Sequence, residues 1–182
     1  MRTVFIVIFI ALGIGIGLLA YHLRQRNAPG SARERSEFQF VAHAPYAQVF
    51  PLFGAQKERE WASDWDPTFV YPKPANDVEG AVFTVKHGHA TTVPWVNTAF
   101  DPQSGHVQYV YVIPDTLTTL IDIHIAPQDA QNTRIDVVYE RTALTAGGDE
   151  RVRRMAEHDR QAGSEWAGQV DGYLKAAASD KQ

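Results

Sequence analysis

The longest apolar stretch lies at the start of the chain, where Val4 to Leu23 form the nearly unbroken run VFIVIFIALGIGIGLLAYHL. About 20 apolar residues in a helix, at about 1.5 Å each, span the ~30 Å hydrocarbon core of a bilayer. The pattern therefore predicts one transmembrane anchor within residues 1–24. A cleaved signal peptide is the alternative, but the run is longer than a typical signal core and has no small-residue cleavage site.

The charges that flank the apolar run bear on its orientation. Arg2 precedes it, and four arginines follow it: Arg24, Arg26, Arg33 and Arg35. Because positive residues favour the cytoplasmic side, we expect a single-pass membrane protein whose domain faces the cytoplasm; a periplasmic or extracellular domain is the alternative. Gly13 and Gly17 have the G-x-x-x-G spacing that permits a helix–helix dimer, although glycine is also common in membrane helices that do not pair.

The chain becomes polar after this run and then settles into a mixed pattern. Residues 25–36 read QRNAPGSARERS, which predicts a flexible linker. Residues 37–175 have the usual length of one domain with one core. Residues 176–182 are predicted to be a tail.

Alternation of apolar and polar residues predicts a series of strands in this domain. They are Glu37–Ala42, Thr68–Tyr71, Ala81–Lys86, Thr91–Phe100, His106–Ile113, Thr118–Ala126 and Thr133–Thr142. The short, turn-forming connections between the later strands predict an antiparallel sheet. One face of these strands is apolar, and the other carries polar residues that include His106, Gln108, Asp122, His124, Arg134, Asp136 and Glu140.

Helical patterns stand on both sides of the long run of strands. A short helix begins at Pro45, and a second covers Ala55 to Trp61. From Glu150 to Lys175 apolar residues recur every three or four positions, which predicts one long amphipathic helix with Asp149 as its N-cap.

The order strand, two short helices, antiparallel strands and long terminal helix resembles the START/SRPBCC superfamily, in particular its polyketide-cyclase/dehydrase and lipid-transport-like branch. The matching segments are APYAQVFPL from Ala44, REWASDWD from Arg59, EGAVF from Glu79 and TRIDVVY from Thr133. The resemblance covers nearly all of residues 37–175. It implies an α+β helix-grip fold, in which a curved antiparallel sheet wraps the long helix around an apolar cavity.

The aromatic residues of the domain suit the wall of such a cavity. Aromatic rings with polar tips can hold a hydrophobic molecule and orient it by one or two hydrogen bonds. The cavity-wall candidates are Trp61, Trp65, Trp95, Tyr109, Tyr111, Tyr139 and Trp166. Ordinary core packing is the alternative for each of them.

Two groups of ionisable residues are candidates for chemistry. Asp159 continues the apolar stripe of the long helix and is expected to face the cavity beside His158, or to pair with Arg154 or Arg160 at its rim. His87 and His89 have no third ligand at a supporting spacing, so no metal site is predicted. No catalytic residue is assigned, and no cofactor is expected.

Composition narrows the function further. A net charge of −4 without a basic block argues against nucleic-acid binding. No nucleophile elbow, P-loop or zinc-protease motif is present in the sequence. The expected partner is therefore a lipid or another hydrophobic small molecule. The alternatives are a cyclase- or dehydratase-like enzyme that uses the same cavity, and a membrane-tethered interaction module whose cavity is filled.

Overall fold

The computed structural model describes residues 18–25, 28–63, 65–87 and 91–179. Gly13, Gly17 and most of the Val4–Leu23 run lie outside the described residues. Residues 18–25 are helical, and Leu18, Leu19 and Leu23 are exposed there. Within the described ranges, no helix has the length and apolar character needed to cross a bilayer.

Seven antiparallel strands form one sheet in the order β1-β7-β6-β5-β4-β3-β2. Their bounds are β1 Arg33–Ala42, β2 Thr68–Tyr71, β3 Val82–His87, β4 Thr91–Asp101, β5 His106–Ile113, β6 Leu117–Pro127 and β7 Thr133–Ala143. The antiparallel sheet predicted from the alternation is confirmed. Burial alternates along β5, β6 and β7, so one face packs against the helices and the other faces solvent.

The helices lie on the buried face of the sheet. They are α1 Tyr46–Val49, α2 Ala55–Glu58, α3 Asp149–Asp159 and α4 Gly163–Ser179, with 3-10 turns at Phe50–Phe53 and Ala146–Gly148. Both α3 and α4 contact β1, and α3 also contacts β7. The fold is therefore the predicted helix-grip arrangement.

The predicted single helix from Glu150 to Lys175 is two helices. A turn at residues 160–162 separates α3 from α4, and the Ala162 N–H donates to the Asp159 carbonyl at 3.0 Å within it. Gly163, a weak helix former, begins the second piece. Both helices contact β1 on either side of this turn.

The segment before β1 is tied to the domain, and β1 begins earlier than the sequence predicts. Asp149 is the first residue of α3 rather than its N-cap, which is Gly148. Its carboxylate instead accepts hydrogen bonds from the backbone N–H groups of Ser31 and Ala32, each at 2.9 Å. These bonds fix the start of the domain against α3.

Candidate ligand cavity

A cavity lies between the sheet and helices α3 and α4, in two adjoining lobes of about 480 Å³ and 360 Å³. Trp95, Ile121, Tyr139 and His158 line both lobes. Either volume is within the range of pockets that hold small ligands. The space between sheet and helix is therefore not filled by side chains.

The first lobe has an aromatic wall on the sheet side. Trp95 on β4 and Tyr111 on β5 are register partners, and their rings stack with centroids 4.1 Å apart at an angle of 28°. Both side chains are buried. The alternation of β4 and β5 places them on the inner face, as the sequence predicts, and together they offer a flat aromatic surface to the lobe.

Three of the predicted wall residues use their polar tips within the protein. The indole N–H of Trp61 donates to the Leu52 carbonyl at 2.7 Å, and that of Trp65 donates to the Ala55 carbonyl at 2.8 Å. The Tyr109 hydroxyl donates to the Phe53 carbonyl at 2.7 Å. The two indole bonds close the segment around α2 on itself, and the Tyr109 bond joins that segment to β5. Trp61 itself does not line either lobe.

Trp166 connects α4 to the same layer of aromatic rings. Its ring makes edge contacts with Phe38 and Trp61, at centroid distances of 5.3 Å and 5.4 Å. It is partly exposed and lines the second lobe with Trp65 and Tyr109. The helix therefore presents Trp166 to the concave face of the sheet, as expected.

A buried ion pair stands at the end of the first lobe. The Arg141 guanidinium on β7 donates to the Asp159 carboxylate on α3, and the Ser36 hydroxyl donates to the same carboxylate at 2.9 Å. Arg141 also lies over the Tyr139 ring, with Cζ 4.4 Å from its centroid. Asp159 does face the cavity, but neither rim arginine is its partner: Arg154 pairs with Glu150, and Arg160 with Glu157 and Glu34.

Sequence reasoning missed Arg141, although a signal was present. Residues 135, 137, 139 and 141 share one side of β7, so Arg141 continues an inward-facing row. An arginine at such a position must find a buried acidic partner. Asp159, the one carboxylate on the inner stripe of the long helix, was the obvious match.

Two polar atoms at this end have no hydrogen-bond partner among the described residues. They are Nε of Arg141 and the hydroxyl oxygen of Thr119, which is its register partner on β6. Burial without a partner costs free energy, so such atoms are expected to meet a polar group of a ligand or water. Arg141 itself lines the first lobe, whereas Thr119 lies beside it without lining either lobe.

The second lobe contains an ionisable group that the sequence did not single out. Glu58 at the end of α2 lines this lobe, and burial, with a smaller effect of the Asp77 charge, raises the pKa of its carboxyl to about 8. Burial also raises the pKa of the nearby Tyr109 and Tyr139 hydroxyls. Glu58 is thus a carboxylic acid that holds its proton near neutral pH beside aromatic hydroxyls.

His158 lies at the mouth of the cavity. Its side chain is exposed, although it lines both lobes. Asp159 is bonded to Arg141 and Ser36 rather than to His158. His89 lies outside the described residues.

Solved structures with the same fold include a plant enzyme and a bacterial cyclase. Norcoclaurine synthase from Thalictrum flavum, in complex with dopamine and hydroxybenzaldehyde, superposes with a TM-score of 0.57 at 10% identity over 83% of this chain and 90% of that one. The Zhui aromatase/cyclase from a Streptomyces species gives 0.58 at 14% identity, over 83% of this chain and 97% of that one. Ara h 8.0201 gives 0.58 at 15% identity, over 80% and 99%.

These likenesses, all at 15% identity or less, show the fold alone, and it is the helix-grip fold that the sequence predicts. No family model matches the sequence, and no curated protein matches it. Function must therefore be argued from the cavity itself.

Proposed function

We propose that this protein binds a hydrophobic small molecule, a lipid or another apolar compound, in the cavity between the sheet and helices α3 and α4. The observation that carries the proposal is the first lobe, which is about 480 Å³ in volume, has an aromatic wall and ends at the buried Arg141–Asp159 pair. A cavity of this size argues against an interaction module whose interior is filled.

The lobe indicates what the ligand looks like. The stacked rings of Trp95 and Tyr111 suit a flat or aromatic portion. Arg141 lines the lobe, and its Nε–H, which has no partner among the described residues, suits a hydrogen-bond acceptor such as a carbonyl or hydroxyl. Norcoclaurine synthase, which has the same fold, was solved with dopamine and hydroxybenzaldehyde, and the aromatic rings of these two molecules support a ligand with an aromatic portion here.

Native mass spectrometry of a fragment starting at Ala28 tests the proposal, because this fragment keeps β1 and the contacts of Ser31 and Ala32 with Asp149. We expect a co-purified apolar molecule, and a saturable change in tryptophan fluorescence when that molecule is added back. Absence of both, over a broad panel of lipids and aromatic compounds, contradicts the proposal.

A matched pair of variants locates the binding. Ile121 lines both lobes, so Ile121→Phe should fill them and weaken binding by at least about tenfold, equivalent to ~1.4 kcal/mol. Leu120→Phe adds the same volume at the next position, on the opposite face of the sheet, and should leave binding unchanged. Equal affinities for the two variants would place the ligand elsewhere.

A second candidate function, a cyclase- or dehydratase-like enzyme, is supported by Glu58. A carboxyl group with a pKa near neutrality can donate and accept a proton in general acid–base chemistry. If the protein converts the compound that it binds, Glu58→Gln should abolish the mass change of that compound and preserve its binding. Unchanged turnover in Glu58→Gln would remove Glu58 from the chemistry.

We also propose that residues 1–24 anchor the domain to a membrane. The apolar Val4–Leu23 run supports this, as do the exposed Leu18, Leu19 and Leu23 of the helix at residues 18–25. The arginines that follow the run support a cytoplasmic domain. A membrane-bound domain of this kind would take up its apolar ligand directly from the bilayer.

A further inference from the structure

The outer face of the sheet, away from the cavity, carries a cluster of two histidines and one aspartate. His106 on β5 and His124 on β6 are register partners, and Asp122 stands two residues before His124 on the same face. We propose that His106, Asp122 and His124 bind a divalent transition-metal cation, for which Zn²⁺ is the reference ion.

The three ligand atoms already converge. Nε2 of His106 is 2.6 Å from one carboxylate oxygen of Asp122, Nε2 of His124 is 3.6 Å from the other, and the three ligand atoms lie within 4.8 Å of one another. A tetrahedral Zn²⁺ ion with bonds near 2.0–2.1 Å holds its ligands about 3.4 Å apart. The separations in the cluster lie on both sides of this value, and the ladder of β5 and β6 fixes the backbone positions of all three residues.

The aspartate is oriented by a second layer of hydrogen bonds. The Gln108 side-chain amide donates to Asp122 Oδ1 at 3.3 Å, and the Thr98 hydroxyl donates to the Gln108 side-chain oxygen at 2.8 Å. Supporting contacts of this kind orient metal ligands and raise affinity. Residues of β5 and β4 therefore hold the Asp122 carboxylate in place through hydrogen bonds.

The charges around the cluster favour a cation. The imidazole rings of His106 and His124 stack with centroids 4.8 Å apart and planes 6° apart. Asp101 is the register partner of His106 on β4, and Asp136 is that of His124 on β7, where it pairs with Arg134. One divalent ion can be bound by both imidazole nitrogens at once, and the negative charge of Asp122 favours it.

The donor set indicates the class of metal. Two imidazole nitrogens and one carboxylate suit Zn²⁺, Ni²⁺, Co²⁺ and Cu²⁺, whereas Mg²⁺ and Ca²⁺ prefer sites made of oxygen ligands. Water would complete the coordination on this open face. The site is separate from the cavity, so its test does not depend on the proposed function.

Calorimetric titration of Zn²⁺ into the untagged full-length chain in lipid nanodiscs tests the proposal. We expect one saturable site, and a loss of affinity of at least about tenfold in His106→Ala and in His124→Ala. His43→Ala is the matched control, because it removes an exposed imidazole that is also paired with an aspartate, Asp171. Affinity should be retained there, and Mg²⁺ should not compete.

Nuclear magnetic resonance of the imidazole nitrogens provides a second readout, since Zn²⁺ should shift Nε2 of His106 and His124. The double variant His87→Ala/His89→Ala tests the other close pair of histidines in the sequence and should bind normally. Equal Zn²⁺ affinity in the wild type and in His106→Ala, or a loss confined to the His87/His89 variant, overturns the proposal.

Discussion

The guanidinium of Arg141 on the sheet is bonded to the carboxylate of Asp159 on helix α3, and both side chains are buried at the polar end of the cavity. The pair joins β7, the last strand, to the last residue of α3, immediately before the turn at residues 160–162. It therefore holds α3 against the sheet, and it leaves the buried Nε–H of Arg141 without a partner among the described residues.

Breaking this pair should destabilise the domain strongly. Asp159→Ala leaves a buried guanidinium without its counter-charge, so the free energy of unfolding should fall by about 3–5 kcal/mol. Urea denaturation measures the change. Glu150→Ala removes the partner of the exposed Arg154 and should cost no more than about 1 kcal/mol. Similar losses in the two variants would show that the Arg141–Asp159 pair is not required.

The stability of the protein should depend on pH through Glu58. The folded protein keeps the proton of this carboxyl up to a pKa of about 8, whereas the unfolded chain releases it near the ordinary value of 4.5. Between these values the unfolded chain binds fewer protons, so the free energy of unfolding falls as the pH rises through this window. Burial also raises the pKa of Asp77, which adds a dependence of the same sign.

Glu58→Gln isolates the contribution of Glu58, since glutamine resembles the protonated acid at every pH. The variant should match the wild type at about pH 5 and exceed its stability at about pH 9, as followed by urea denaturation. Glu37→Gln alters an exposed carboxylate and should leave the pH dependence unchanged. A wild-type pH dependence that persists in Glu58→Gln would assign the effect to other groups.

The sequence predicted the sheet well because burial on one face leaves a strict two-residue period, as in Val107, Tyr109 and Tyr111 on β5. The apolar stripe of the terminal helix was equally clear. The turn at residues 160–162 divides the helix in two, but apolar residues continue at the same spacing on both sides of the turn. The apolar pattern alone therefore does not predict the turn, which is seen only in the folded structure.

The candidate sites were less predictable because they depend on strand register. Arg141 and Asp159 are 18 residues apart, and His106 and Asp122 are 16 apart, so no local motif marks either pair. Glu58 read as an ordinary polar residue of a short helix. Its pKa is raised by desolvation at a half-buried position in the second lobe, which sequence spacing does not encode.

Trp166 should contribute substantially to the packing of α4. It contacts the rings of Phe38, Phe53 and Trp61 and is partly exposed, so Trp166→Ala should lower the free energy of unfolding by about 3 kcal/mol, the lower end for such changes. Thermal or urea denaturation measures this. A negligible change would mean that α4 does not need its aromatic contact with the sheet.

The proposed membrane anchor predicts that the full-length chain and a fragment without the apolar run differ in membrane retention. The full-length chain should remain in the membrane fraction after high-salt and carbonate washing, since about 20 apolar residues hold it there. A fragment starting at Ala28 should be released. A mature protein that begins near Tyr21 would identify the run as a cleaved signal instead.

The Thr119 hydroxyl offers a test of the polar end of the cavity. Its oxygen is fully buried and has no partner among the described residues, so the nearly isosteric Thr119→Val should raise the free energy of unfolding of the ligand-free protein by about 1 kcal/mol. The same change should weaken binding of the co-purified compound if that compound extends past Arg141, which lines the first lobe, to its register partner Thr119. Thr118→Val, on the opposite face of β6, is the control and should not affect binding. A Thr119→Val variant that binds as well as the wild type would show that the ligand does not reach the Arg141 end of the lobe.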